Sequence, residues 1–162
     1  MSDSPNVPFN WNDYLTLAED LSRRSDEAAR RSAISRAYYA AYNLARQHLR
    51  DALGANVGPA SEPIPPSGKR KGEHEWCWDK FCDSGHDGCI DIGELGKRLK
   101  GFRVEADYEA NSAVARNAQG TDMVIQRAKT FIEKIEDLDP DYPKKPVAQI
   151  VSATPKLGPP KR

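Results

Sequence analysis

The stretch from Ser25 to about Leu53 constrains this chain most, because its apolar residues return every three or four positions: Ile34, Ala37, Tyr38, Ala41, Leu44, Ala45 and His48. That spacing marks one face of a long α-helix. Asp26 and Glu27 put acids in its first turn, where the helix dipole favours them, Ser25 is the expected cap, and Gly54 ends the run. No segment of useful length alternates with period two, so the chain reads as all-α.

Four further helices follow from the same pattern. Asn10 is the expected cap of the first, with Trp11, Tyr14, Leu15, Ala18 and Leu21 behind it and Phe9 placed to staple against Tyr14. A short third helix is expected over roughly residues 73–83, anchored by Trp78 and Phe81 and ended by Gly85 and Gly88. Asp91 and Glu94 have capping-box spacing, flanked by Ile90 and Leu95, so the fourth helix is expected to start there and to bury Leu95, Leu99, Phe102 and Ala106. Gly120 and Thr121 introduce the fifth, whose stripe is Val124, Ala128, Phe131, Ile135 and Leu138 before Pro140 stops it.

Prolines divide the remainder. Residues 54–72, GANVGPASEPIPPSGKRKG, carry four prolines and four glycines, so neither a helix nor a central strand persists there. A loop of that length inside a domain is often functional. From Asp139 the chain carries six prolines and little aromatic surface, which is too little burial to offset the entropy of ordering. The expected organisation is therefore an N-terminal arm over 1–9, a four-to-five-helix antiparallel bundle over 10–138, and a disordered basic tail over 139–162.

Charge narrows the function classes. The first 140 residues hold 19 basic against 23 acidic side chains, a net −4, which argues against a broad surface tracking a nucleic-acid backbone. Any RNA contact should be local. Three cysteines within one short stretch suit reduced thiols better than a disulfide framework. Without a signal-like leader or about 18 consecutive apolar residues, the chain is expected to be cytoplasmic and not membrane-bound.

Three features in order carry a family resemblance: Ser-Arg-Ala-Tyr-Tyr-Ala-Ala-Tyr (35–42) in the long second helix, a lone His74 opening the third, and Arg-Val-Glu-Ala-Asp-Tyr (103–108) ending the fourth. Together they resemble the HEPN family (higher eukaryotes and prokaryotes nucleotide-binding domain), in particular its small stand-alone bacterial branch, over roughly residues 11–138. The resemblance implies an antiparallel four-helix bundle with added helices, a homodimer, and a role in toxin-antitoxin, phage-defence or RNA-processing systems beside a cognate antitoxin or defence protein. Many members cleave RNA without metal through an arginine separated by four to six residues from a histidine. This chain departs from that motif. No histidine follows Arg103, and Asp107 or Tyr108 stands in its place, while Arg70 precedes His74 with three residues between, one short of the spacing.

The candidate catalytic set is thus Arg103, Asp107, Tyr108 and His74, with Arg36, Tyr39, Lys69, Arg70 and Lys71 as candidate RNA contacts. Arg103 and Asp107, four apart, share a helix face; there Arg103 would fork onto a phosphate and Asp107 would orient it or move a proton. The bland alternative is a surface ion pair contributing about 0.3–0.5 kcal/mol. Arg36, Tyr39, Asn43, Arg46 and Arg50 equally describe a solvated face, and Tyr38 with Tyr42 reads as core whose hydroxyls reach the rim. His48 reads as a hydrogen-bonded core histidine. Cys77, Cys82, His86 and Cys89 have the order of a zinc knuckle, but two cysteines five apart on one helix lie about 140° apart, so no metal and no cofactor is expected. The competing reading is a non-catalytic module that dimerises or scaffolds a larger complex.

Overall fold

The computed structural model describes residues 8–144, and among them the chain is all-helical. Five α-helices follow in order: α1 (Asn12–Ser22), α2 (Glu27–Leu53), α3 (Glu73–Cys82), α4 (Asp87–Tyr108) and α5 (Ala118–Asp137), with one 3-10 turn (Pro59–Ser61) in the long loop. Helix α2 packs against each of the other four. It can do so because six of its buried side chains are alanines (Ala29, Ala33, Ala37, Ala40, Ala41 and Ala45), which let neighbouring backbones approach from several sides at once. Helices α1 and α4 run antiparallel to it: Arg36 covers the Tyr14 ring, and Arg31, near the start of α2, reaches the carbonyls that end α4.

Trp78 closes the core. Its side chain is fully buried, edge-on to Phe131 of α5 with centroids 5.8 Å apart, and it lies across Gly96 of α4. A Cβ at Gly96 would stand 2.4 Å from the indole ring, and one at Gly93 would stand 2.5 Å from the Cys82 sulfur. Helices α3 and α4 are therefore in contact through absent side chains. Arginines fasten the other end of the bundle. Arg30 donates to the carbonyls of Ala115 and Arg116, and Arg31 to those of Ala106, Glu109 and Ala110, which satisfies backbone acceptors left open where α4 ends.

Several boundaries differ from the sequence reading. The cap of α2 is Asp26, whose carboxylate accepts from the Ala29 N–H at 2.7 Å, and not Ser25. Helix α4 begins at Asp87, four residues before the Asp91–Glu94 box, so Gly88 lies inside it. His86 caps it, and Gly85, at φ +72°, makes the preceding turn in the left-handed region that glycine tolerates. The earlier start buries Cys89 in the same helix as Ile92, and the His86 side chain takes over the capping of the first turn. Asp91 is left mid-helix, facing Lys134 of α5 at 3.5 Å. Asn117, not Gly120 or Thr121, caps α5. At α1 the Asn10 side chain does accept from the Asn12 N–H, and Phe9 lies edge-on to Tyr14.

The packed region also runs past the expected bundle end at 138. Tyr142 stacks on His86 with centroids 4.2 Å apart, and its carbonyl accepts from His48 at 2.6 Å, so 139–144 return to the bundle. One partly buried ring, the buried Pro143 and one hydrogen bond supply the packing that composition did not reveal. The expected disorder of the tail from 145 onward, like most of the arm over 1–9, lies outside the described residues. Among the described residues no helix is long and apolar enough to cross a membrane.

Glycine substitutions on α4 should separate the tight contact from helix propensity. Gly96→Ala should destabilise by about 1–3 kcal/mol as the Trp78 ring is displaced, whereas Gly101→Ala, with nothing within 4 Å of the added Cβ, should stabilise by about 0.5–1 kcal/mol. Phe131→Ala, at a fully buried position, should cost about 3–5 kcal/mol. Urea denaturation of the three variants checks these values, and equal effects of the two glycine changes would disprove the proposed seating of Trp78.

Candidate functional site

Arg103 is positioned from α4 and is held by three side chains. Its Nε lies 2.7 Å from the Asp107 carboxylate one turn on, but the buried N–H does not point along that line, so the contact is an ion pair without an aligned hydrogen bond. One terminal nitrogen donates to the Tyr39 hydroxyl at 2.9 Å. The guanidinium also lies over two rings, 5.3 Å from the centroid of Tyr39 and 5.5 Å from that of Tyr108. With only 19% of its side chain exposed, Arg103 is a fixed cation and not a solvated one. Tyr108 itself is 71% exposed and forms the outer wall.

His74 reaches the same place from the first turn of α3. Its Nδ1 shares a 2.5 Å hydrogen bond with the Tyr38 hydroxyl, and its ring stacks on Tyr42 with centroids 3.9 Å apart at 16°. Tyr39 links the two halves, because its ring stands edge-on to His74 at 6.0 Å while also lying under Arg103. The Ala-Tyr-Tyr-Ala-Ala-Tyr run thus presents three rings on adjacent faces of α2, two toward α3 and one between α3 and α4.

The charges nearest His74 are mostly positive. Burial lowers the His74 pKa, and the nearby charges of Lys100 and Arg103 lower it further, with Glu73 opposing and Arg46 adding to the effect. A neutral imidazole among three cations is the outcome. Burial pushes the Tyr38 hydroxyl far above the ordinary tyrosine range, and Tyr42 to about 12, so both remain protonated at neutral pH. Arg46 and Glu73 lie 3.9 Å apart at the rim.

Of the residues named from sequence, Arg103, Asp107, Tyr108, Tyr39 and His74 are brought together. Arg36 is not, since it covers Tyr14 on the α1 side of the bundle, 5.1 Å from the ring centroid. The Lys69, Arg70 and Lys71 loop does not join them either. Arg70 donates to the carbonyls of Pro59 and Glu62, Lys71 pairs with Asp79 at 2.5 Å, and Lys69 makes only a backbone contact with Ser67. Arg70 and Lys71 tie the long loop down and, with Trp76 and Lys80, edge a separate cavity of about 420 Å³.

Sequence reasoning missed Lys100, Trp78 and the holding roles of Tyr38 and Tyr42. Lys100 stands three residues before Arg103, a spacing that could have placed it on the same face. No comparable signal locates Trp78, whose site role depends on α3 lying against α2. Among the described residues no group of three or more His, Cys, Asp or Glu side chains converges as metal donors. Cys77 is buried, Cys82 lies beside Glu94, and His86 caps α4.

The depressed His74 pKa predicts a pH dependence of stability with a definite sign. The unfolded chain takes up this proton near pH 6.5, before the folded one does, so acidification lowers stability from that point down to the folded pKa, and the contribution is intact above it. Denaturant midpoints at about pH 7.5 and about pH 5 should therefore fall further for wild type than for His74→Gln, which keeps an acceptor for Tyr38 but does not titrate. Equal falls would show that His74 is not the group responsible. Compared with family models, with curated proteins and with solved structures, the chain matches none.

Proposed function

We propose that this chain is an RNA-directed effector of HEPN type that binds a phosphodiester in the groove between α2, α3 and α4 and cleaves it as a ribonuclease-type toxin or defence component. The observation that carries the reading is Tyr39, which joins Arg103 to His74: an arginine and a histidine far apart in sequence face one groove. The family resemblance supports it through the same residues. Where the usual motif has a histidine after its arginine, this chain supplies one from α3.

In this reading Arg103 holds the non-bridging oxygens, oriented by Asp107 and Tyr39, while Lys100 and Arg46 add positive charge at the rim. The ribose 2′-hydroxyl attacks the adjacent phosphorus and the bond to the 5′-oxygen breaks. The proton lost from the 2′-hydroxyl is recovered by the departing 5′-oxygen, leaving a 2′,3′-cyclic phosphate and a 5′-hydroxyl. The net negative body confines RNA to this groove, as expected of local contact.

One observation favours the competing reading of a non-catalytic dimerisation module. Val104 and Tyr108, four residues apart on α4, are 37% and 71% exposed, and apolar surface at that spacing suits a second copy of the chain. A cognate antitoxin or defence protein would be a further partner in either reading.

The deciding experiment incubates wild type, Arg103→Lys and Asp107→Asn with total RNA and tRNA, without and with a chelator, while expression toxicity is scored in parallel. Loss of the guanidinium fork should reduce cleavage about 10²-fold. Cleavage that survives Arg103→Lys unchanged would remove this groove from consideration. Light scattering at roughly tens of micromolar should show a dimer that Tyr108→Glu dissociates, and a dimer without RNA cleavage would establish the module reading.

A further inference from the structure

His74 is held by a chain of groups whose hydrogen-bond direction is fixed. Trp78 Nε1 can only donate. It is buried and has no hydrogen-bond partner among the described residues, and its ring stands edge-on to Tyr38 with centroids 6.3 Å apart, so it offers the Tyr38 hydrogen no acceptor. Tyr38 is itself fully buried, and its one hydrogen must go to an acceptor. Among the described residues the hydroxyl's only hydrogen-bond partner is His74 Nδ1 at 2.5 Å. If Nδ1 carried a proton, His74 would donate to the Tyr38 oxygen and leave the buried Tyr38 hydrogen without an acceptor among the described residues.

We propose that Tyr38 is a positioning residue that holds His74 in the tautomer protonated on Nε2, so that the site presents an N–H donor for a phosphate oxygen and not a free imidazole lone pair. The tautomer follows from the hydrogen-bond geometry. That a phosphate is its acceptor rests on the proposed RNA reading. Stacking on Tyr42 fixes the ring plane, and with Nδ1 committed inward, Nε2 makes no hydrogen bond among the described residues and is not sealed from solvent.

The charged groups facing the ring agree with this assignment. Arg46 comes from α2, Glu73 from α3, and Lys100 and Arg103 from α4, three cations against one carboxylate, so a doubly protonated ring is disfavoured on both counts. A neutral Nε2–H can approach an anionic oxygen beside Arg103 without adding to the charge the groove already carries. It cannot act as the base that takes the 2′-hydroxyl proton. His74 therefore contributes to substrate holding and to the departing or non-bridging oxygens.

The test uses the whole chain, ¹⁵N-labelled, and histidine-ring NMR correlation spectra at neutral pH. The sequence has three histidines, so His74→Gln assigns the signal by its loss. The expected result is a neutral His74 ring with its proton on Nε2 and Nδ1 shifted as a hydrogen-bond acceptor. In Tyr38→Phe, a change that keeps the buried ring, the acceptor shift of Nδ1 should disappear and the Nδ1-protonated tautomer should rise. An Nδ1-protonated or doubly protonated wild-type ring would overturn the assignment, as would a Tyr38→Phe spectrum identical to wild type. Adding a short single-stranded oligoribonucleotide should then move the Nε2 signal in wild type, and binding seen by anisotropy with that signal unmoved would overturn the donor role. Absence of binding would refute the RNA reading alone, because the tautomer is decided without ligand.

Discussion

The seating of Trp78 on Gly96 is the contact from which the rest of this structure follows. A helix of ten residues such as α3 has little stability of its own and holds its place only through what it buries. Trp78, Phe81, Trp76 and Cys77 supply that burial, and the two α4 glycines let α3 come close enough to complete it. The same approach carries His74, one turn before Trp78, onto the Tyr38 and Tyr42 rings of α2. Core packing and site geometry are therefore coupled through one aromatic side chain. Trp78 packs on Phe131 on one side and stands edge-on to the Tyr38 ring on the other.

A second constraint is the use of arginine as a clamp. Arg30 and Arg70 direct donors to backbone carbonyls, and Arg31 divides its donors between carbonyls and the Glu27 carboxylate, fixing the turn after α4, the approach to α5 and the long loop. Each guanidinium spans acceptors that no helix could satisfy. Arg103 is different in kind. Its partners are a carboxylate, a hydroxyl and two aromatic faces, which orient the group while leaving its edge toward the groove. Arginines in this chain thus serve as carbonyl clamps, as ion-pair partners and as cations laid over rings, and residue identity alone does not tell these roles apart.

This division explains how much of the candidate site was legible beforehand. Arg103 with Asp107 follows from a spacing of four on a helix, and α4 holds both where expected. His74 opening α3 was equally readable. The residues that lie apart from Arg103 and His74 are cations with other partners: Lys71 pairs with Asp79 and Arg36 covers the Tyr14 ring, partners that sequence neighbours do not reveal. Capping signals erred for a related reason. The Asp91 box is locally sound, but the His86 cap and the buried Cys89 start the helix earlier.

By itself the sequence determined the helical class, the number of helices and the apolar stripe of each, because a period of 3.6 residues is a property of the local chain and is written into every turn. It also placed Phe131 and Ile135 of α5 on their buried face. Tertiary structure alone decided which polar groups meet. The Tyr38–His74 hydrogen bond, the Tyr39 ring between His74 and Arg103, and the return of Tyr142 to His48 and His86 all join helices or loops distant in sequence. Such contacts depend on the angle and depth at which helices pack. That depth was set by the two glycines facing Trp78 and Cys82, whose missing side chains carry no periodic signal.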